Sequence, residues 1–297
     1  MRVFVTGASG WIGSAVVDEL LAHGHDVLGL VRSDAAAQSL VAKGAQVHRG
    51  DLDDPRSLAA GAEAADAVIH LANKHDFDDP ATSNRAERGA VEVLGDALVG
   101  TDRPLFVASG AAGLATGRPG EETDPSPAVG ADSPRGGSEN LALSYADRGV
   151  RPVAVRFAPT VHGTGDHGFV AALVRAARER GVAGYVGDGS HRWSAVHRTD
   201  AARLVRLALE QPGAGVVAHA VAEEGVTTRE IAELIGAGLG LPVEAVDPDR
   251  AVEHFGWIGR FFALDMSARS NLTSERYGWT PTGPTLADDL RSGGYTG

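Results

Sequence analysis

The first thirteen residues constrain the fold of this chain most. Val3-Phe4-Val5 reads as a buried strand that runs straight into glycines at 7, 10 and 13. Behind them, Ile12, Val16, Val17, Leu20 and Leu21 fall on one stripe of a helix. Glycines at this spacing let the backbone turn sharply and approach a pyrophosphate closely. The phosphates then sit at the positive end of the helix, where unpaired N–H groups point at them. Strand, loop and helix in this order point to a bound dinucleotide. Gly7, Gly10, Trp11, Ile12 and Gly13 are the residues expected against it.

Short apolar runs then alternate with helical patterns through the first half. Strands are predicted near 3–6, 27–31, 46–49, 67–71, 104–108 and 152–157, with helices near 11–23, 34–43, 55–62, 84–99 and 136–148. Such alternation implies an α/β fold in which helices cover both faces of a parallel sheet. Right-handed crossovers make it doubly wound, with the ligand crevice at the carboxyl ends of the strands. The rhythm breaks at 115–135, a long loop rich in Gly, Pro, Asp and Glu. Beyond 158 the pattern is irregular, with helices near 168–180, 227–238 and 285–291 and a strand near 216–220. Thr227, Thr228 and Glu230 form a capping arrangement at the start of the second of these helices.

Composition narrows the function. A net charge of −12 argues against nucleic acid, whose binding rests on neutralising phosphates. No cysteine is present, which removes disulfides, thiolate metal sites and cysteine nucleophiles together. No apolar run is long enough to span a membrane, and the chain opens directly on its first strand, so a cytoplasmic location is expected. The partner expected is a small-molecule substrate, and no metal site is expected. Lys43 and Lys74 are the only lysines, which limits where a catalytic lysine could stand.

The choice of nucleotide rests on the end of the second strand. Arg32 lies about 20 residues past Gly13, where an acidic residue would select NAD and an arginine clamps a 2′-phosphate. Arg32, with Ser33, therefore favours NADP over NAD. The opposing reading makes Arg32 a solvated surface residue and gives Asp34 the acidic role. Asp51 and Leu52 follow the third strand and are placed to bracket the adenine. Leu71, Ala72 and Asn73 close the fourth strand and should line the pyrophosphate and ribose.

Thr6-Gly7-Ala8-Ser9-Gly10-Trp11-Ile12-Gly13, Gly50-Asp51-Leu52, His70-Leu71-Ala72, Val196-His197-Arg198-Thr199-Asp200-Ala201-Ala202 and Gly278-Trp279-Thr280-Pro281 together resemble the short-chain dehydrogenase/reductase superfamily. The resemblance is to its extended and atypical branches, the NAD(P)-dependent epimerase/dehydratase-like proteins, and covers nearly the whole chain. It implies a Rossmann doubly wound sheet of about seven strands over 1–157, continued by about 196–221. A smaller C-terminal α/β substrate domain would take 158–195 and 222–297. Many relatives are homodimers built on two helices of the nucleotide domain, here near 84–99 and 136–148. The resemblance also implies hydride transfer at C4 of the nicotinamide, with a tyrosine as acid and a lysine four residues later tuning it.

That pair is absent. The tyrosines stand at 145, 185, 277 and 295, and none has a lysine four residues on. Placing the family's helix on this sequence puts Arg135 at the tyrosine position and Glu139 at the lysine position. Gly110 takes the usual hydroxyl position, with Ser109 adjacent, and Glu87 takes the position of the family's asparagine. Arg135 stays charged at neutral pH and suits a carboxylate or oxyanion; it reads equally as a solvent-facing residue at a helix start. Glu139 reads as its i, i+4 partner on that helix. Ser138 is placed to meet a ribose hydroxyl or to lie on the helix surface. By resemblance, Pro159, Thr160 and Val161 run beside the nicotinamide carboxamide, and His162 projects toward the crevice. His162 or His167 is the candidate replacement acid, because histidine titrates nearest neutral pH. The alternative makes the histidine a partner for buried loop carbonyls. His197 and Asp200 look structural, and Phe255, Trp257, Phe261 and Phe262 read as the core of the small domain.

The reading that follows is an NADP-dependent oxidoreductase of the atypical short-chain type, reducing a carbonyl or imine with a non-standard proton donor. A cofactor-binding sensor or scaffold without turnover stays open. So does a non-redox isomerase or cyclase on the same fold.

Overall fold

The structure, a computed structural model, describes residues 1–74 and 79–295. In chain order its first elements are β1 (Arg2–Thr6), α1 (Trp11–Ala22), β2 (Asp26–Val31), α2 (Asp34–Lys43), β3 (Gln46–Arg49) and α3 (Pro55–Glu63). Next come β4 (Ala67–His70), α4 (Pro80–Leu98), β5 (Pro104–Gly110), α5 (Ser138–Ser144), β6 (Arg151–Phe157) and β7 (Thr160–His162). Then follow α6 (Phe169–Arg180), β8 (Ala183–Val186), β9 (Arg192–His197), α7 (Arg198–Glu210), β10 (Val216–Ala220) and β11 (Glu223–Thr227). The last are α8 (Thr228–Leu239), β12 (Val243–Val246), α9 (Ala251–Phe255), α10 (Gly259–Phe262), α11 (Asn271–Tyr277) and α12 (Leu286–Arg291).

Local chemistry starts these helices where the sequence signals. Ser33 caps α2, its hydroxyl accepting from Ala36 N. Asp54 and Asp79 cap α3 and α4, each followed by proline at the first turn. Thr227 caps α8, and Thr285 with Asp288 forms a reciprocal capping box on α12.

Seven strands form one sheet in the order β10-β6-β5-β4-β1-β2-β3. From β5 to β3 the neighbours run parallel. Strand order reverses between β1 and β4, the switch point at which a doubly wound sheet opens its ligand crevice. Val3, Phe4, Val5, Val68 and Ile69 are wholly buried in this sheet, as continuous apolar runs in a helix-covered parallel sheet must be.

The chain divides into two compact units. The first comprises Met1–Ser109, Pro125–Arg156 and Ala202–Ala218; the second comprises Gly110–Asp124, Phe157–Ala201 and His219–Gly297. The second unit holds a three-stranded sheet, β11-β9-β7, and a β12-β8 pair. Its core gathers Trp193, Ile231, Ile235, Phe255, Ile258, Phe262, Leu286 and Leu290. Strands β7, β8, β9, β11 and β12, of three to six residues, fall where the regular alternation of strand and helix that marks the first half is lost. Within the 115–135 loop, Gly120 pairs with Ala268 as an isolated bridge. Glu122 is buried and accepts from Thr273 N and Oγ1 at 2.7 and 2.8 Å. The first part of the loop is therefore built into the second unit.

Candidate active site

The glycine loop is shaped by contacts that only glycine permits. Gly7 has φ +68°, and a Cβ there would lie 2.7 Å from Ala72 N. At Gly13 a Cβ would lie 2.0 Å from Gly7 O. Gly7 thus lets the loop press on the residues that end β4, and Gly13 lets α1 press on the loop. Gly10 N donates to Gly7 O at 2.9 Å. Gly10 is also the N-cap of α1 and offers no side chain to its first turn. That end of the helix is left to attract an anion.

At the carboxyl ends of β2 and β3 two arginines stand close together. Arg32 follows β2, is 76% exposed, and lies 3.7 Å from Asp51. Arg49 is the register partner of Val31. It pairs with Asp34, so the one nearby carboxylate expected to meet a ribose hydroxyl is already engaged. Ser33 spends its hydroxyl oxygen on the α2 cap. Asp51 Oδ1 accepts from Asp53 N at 3.0 Å, and Leu52 is half-buried beside it. Leu71 N and Ala72 N reach Thr6 O and Thr6 Oγ1 at 3.2 and 3.3 Å. Asn73 Nδ2 donates to Glu87 Oε2 at 2.7 Å.

The region expected to carry catalysis differs from the sequence reading in its backbone. Arg135 is not at a helix start: it has φ 55°, Gly136 and Gly137 are also left-handed, and α5 begins only at Ser138. The i, i+4 pair of Arg135 with Glu139 therefore does not form. Arg135 Nη2 instead donates to Glu87 Oε1 at 2.6 Å and Ala108 O at 2.9 Å. Its side chain remains 34% exposed, and its Nη1 makes no hydrogen bond among the described residues. Glu87 is buried in α4, where Asn73 and Arg135 share its two oxygens. Behind it lies His70, wholly buried, with Nδ1 2.7 Å from Thr6 Oγ1 and Nε2 4.0 Å from Glu87 Oε1. Burial holds the His70 pKa below its ordinary value, against the pull of Glu87.

Glu139 takes a different partner. Arg156, on β6, grips it from Nη2 at 2.5 Å and from Nε at 3.1 Å to each oxygen. Ser109 Oγ, half-buried at the end of β5, donates to Glu139 Oε2 at 2.5 Å. Ser138 is buried rather than on a helix surface, and its hydroxyl donates to Arg135 O. Arg156 and the Glu87–Arg135 pairing were missed from sequence. The available signal was a charge inside the apolar run of β6, since a buried charge needs a partner.

In the second unit the two histidines separate. His162 does not project into open space. It is wholly buried, with Nδ1 2.6 Å from Asp289 Oδ2 and Nε2 3.8 Å from Glu223 Oε1. Its ring meets that of His197 at 5.5 Å, edge to face. Burial lowers the His162 pKa against the opposing pull of Asp289. His167 is exposed on the following loop, where Tyr295 Oη and Gly168 N both donate to Asp166. Thr160 is buried in β7 beside the half-buried Pro159 and Val161. Asp200 accepts from Thr282 N and Gly283 N at 3.0 and 2.7 Å, a structural role. Phe255 and Phe262 are core residues, whereas Trp257 is 36% exposed. Among the described residues, no group of three His, Cys, Asp or Glu could hold a metal ion.

Comparison with known proteins places this geometry. The sequence pattern of the NAD dependent epimerase/dehydratase family matches residues 3–222. The chain belongs to that family. An uncharacterised protein of Schizosaccharomyces pombe is 45% identical over 298 residues, covering 99% of this chain and 100% of that one. The 4-hydroxy-2-methyl-3-oxo-4-farnesyl-3,4-dihydroquinoline-1-oxide ketoreductase of Stigmatella aurantiaca is 30% identical over 273 residues, 86% of this chain and 80% of its own. The solved UDP-glucose 4-epimerase of Thermus thermophilus, in complex with NAD, matches with a TM-score of 0.74 at 25% identity, covering 98% and 97% of the two chains. The glycine loop of this epimerase/dehydratase family member fits a nicotinamide dinucleotide. No helix of the described residues is long and apolar enough to cross a membrane.

Proposed function

We propose that the protein is an NADPH-dependent ketoreductase whose substrate oxygen is held by Arg135. The observation that carries this reading is the state of that guanidinium. One terminal nitrogen is fixed by Glu87 and Ala108 O, while Nη1 is left without a hydrogen bond among the described residues on a partly exposed side chain. A preorganised cation of this kind stabilises the alkoxide that develops as a carbonyl is reduced, and needs no reorganisation at that moment. The cofactor supplies the hydride. Arg135 binds and orients the carbonyl oxygen, and Glu87 with Asn84, which accepts from Arg135 N at 2.8 Å, keeps that residue in place. His162, sealed among Asp289, Glu223 and His197, is not the proton donor in this reading.

Preference for NADPH over NADH is supported by Arg32 and Arg49 at the ends of β2 and β3, and by the engagement of Asp34 with Arg49. The 30% identical ketoreductase supports a carbonyl substrate. The test titrates NADPH and NADH into the protein by nicotinamide fluorescence, then follows NADPH oxidation with ethyl acetoacetate, acetophenone and benzaldehyde. Arg32→Ala should weaken NADPH about tenfold, one phosphate contact, and leave NADH unchanged. Binding of NADPH with no turnover of any carbonyl would sink the reductase reading in favour of a sensor or scaffold.

A further inference from the structure

We infer that Glu139, reached through the hydroxyl of Ser109, is the proton store of the reaction, in place of the missing tyrosine and lysine. The inference rests on the ketoreductase reading and supplies the proton path that reading lacks. Its basis is one juxtaposition. Ser109 Oγ donates to Glu139 Oε2 at 2.5 Å. Arg156 holds the same carboxylate with two nitrogens, Nε and Nη2.

Three features make this more than a structural ion pair. Glu139 and Arg156 are both buried and already match each other in charge. The hydroxyl of Ser109, a half-buried residue, is a further contact to the buried pair at the carboxyl end of β5. That end of a parallel strand is where the ligand crevice lies. Ser109 also follows Ala108, whose carbonyl fixes Arg135 Nη2. The cation proposed to hold the substrate oxygen and the hydroxyl proposed to exchange its proton are thus anchored to consecutive residues. Finally, the hydrogen bond has a direction. Glu139 receives from Ser109 and from Arg156, so Ser109 turns its hydrogen inward and presents lone pairs outward. In the alcohol-oxidising direction it is set to receive a proton.

In the alcohol-oxidising direction the substrate O–H bond breaks and its proton passes to Ser109 Oγ. The Ser109 proton moves in concert to Glu139 Oε2. The carbinol C–H bond breaks as hydride, two electrons and a proton, which reduces the oxidised nicotinamide dinucleotide and leaves a carbonyl. Reduction runs the same path backward from a Glu139 that has first taken a proton from solvent through Ser109 and turned the Ser109 hydrogen outward. The alkoxide takes the Ser109 proton, Ser109 takes the Glu139 proton, and the carboxylate left behind is matched by Arg156 until solvent protonates it again. Ser109 touches the reacting oxygen; Glu139 acts through it.

The test measures kcat against pH for NADPH-dependent reduction of ethyl acetoacetate, acetophenone and benzaldehyde, with NADPH affinity read separately by fluorescence. Glu139→Gln and Ser109→Ala are each expected to lower kcat about 100-fold, the usual contribution of a positioned acid or base, and to abolish the solvent deuterium isotope effect. NADPH affinity should stay within about twofold, since neither group is asked to hold the cofactor. Ser109→Thr, which keeps a hydroxyl, should restore the isotope effect and most of the rate. If Glu139→Gln fails to fold, Ser109→Ala decides, because it leaves the Glu139–Arg156 pair intact. A Ser109→Ala enzyme with wild-type kcat and pH profile overturns the relay and leaves the reductase reading standing. A wild type that binds NADPH but reduces no probe overturns that reading and the relay with it.

Discussion

Arg156 shows how far one side chain departs from what its sequence position suggests. It sits in β6 between Val155 and Phe157, and is 1% exposed. A guanidinium there is tolerable because Glu139 meets it with short contacts on both oxygens. Arg156→Met should therefore destabilise the protein by about 3–5 kcal/mol, because Glu139 is left as a buried charge without its cation. Urea unfolding measures this. Replacing both residues, Arg156→Met with Glu139→Leu, should recover most of the loss. A double variant as unstable as the single one would mean that the pair does more than balance its own charges. None of this is legible at residue 156 alone, whereas Gly7 and Gly13 are: their backbone contacts follow from a loop that must lie against both a strand and a helix.

Among the elements, the nucleotide-binding half was readable and the turn before α5 was not. Periodicity placed β1 to β6 and α1 to α4 within a few residues, because most of them carry an apolar run or stripe bounded by a cap or breaker, and the short β3 falls between two such helices. The helix expected at 136–148 is instead α5 over Ser138–Ser144, entered through three left-handed residues and left through a short 3-10 turn. Glycine pairs permit such a turn but do not demand it, so Gly136-Gly137 read equally as a weak helix start. The turn is what aims Arg135 at Glu87. Gly136 has φ +62°, and a Cβ there would lie 2.5 Å from Asn84 O. Gly136→Ala should cost about 1–2 kcal/mol from the left-handed backbone alone, with a further loss from the clash. It should also lower kcat more than it weakens NADPH binding, because Arg135 is displaced while the glycine loop is untouched. Paired unfolding and steady-state measurements check this, and an unchanged kcat would refute the positioning role of the turn.

Over the whole molecule, each compact unit encloses a wholly buried histidine, His70 in the first and His162 in the second. Burial lowers both pKa values in the folded state. The unfolded chain then binds protons that the folded chain refuses once pH drops below about 6.5. Stability from these groups is present above that pH and is lost as pH falls toward their folded values. Glu223 and Asp166 act with the opposite sign, since burial raises their pKa values and their contribution fades as pH rises. Comparison with His162→Gln isolates the histidine. The stability difference between wild type and variant should shrink steadily below about pH 6.5. Parallel pH curves for the two proteins would show that His162 is not the titrating group.

The sequence by itself determined the glycine loop, the alternation that builds the parallel sheet, the family, and the absence of any Tyr-x-x-x-Lys pair. These rest on residues close together in the chain, where spacing and turn chemistry act directly on the backbone. Only the tertiary structure decided that Arg135 belongs to Glu87, Glu139 to Arg156 and Ser109, and His162 to Asp289, partners separated by 48, 17, 30 and 127 residues. A buried charge or imidazole takes the complementary group that packing brings to it, and packing is a property of the assembled sheets and helices rather than of any one segment.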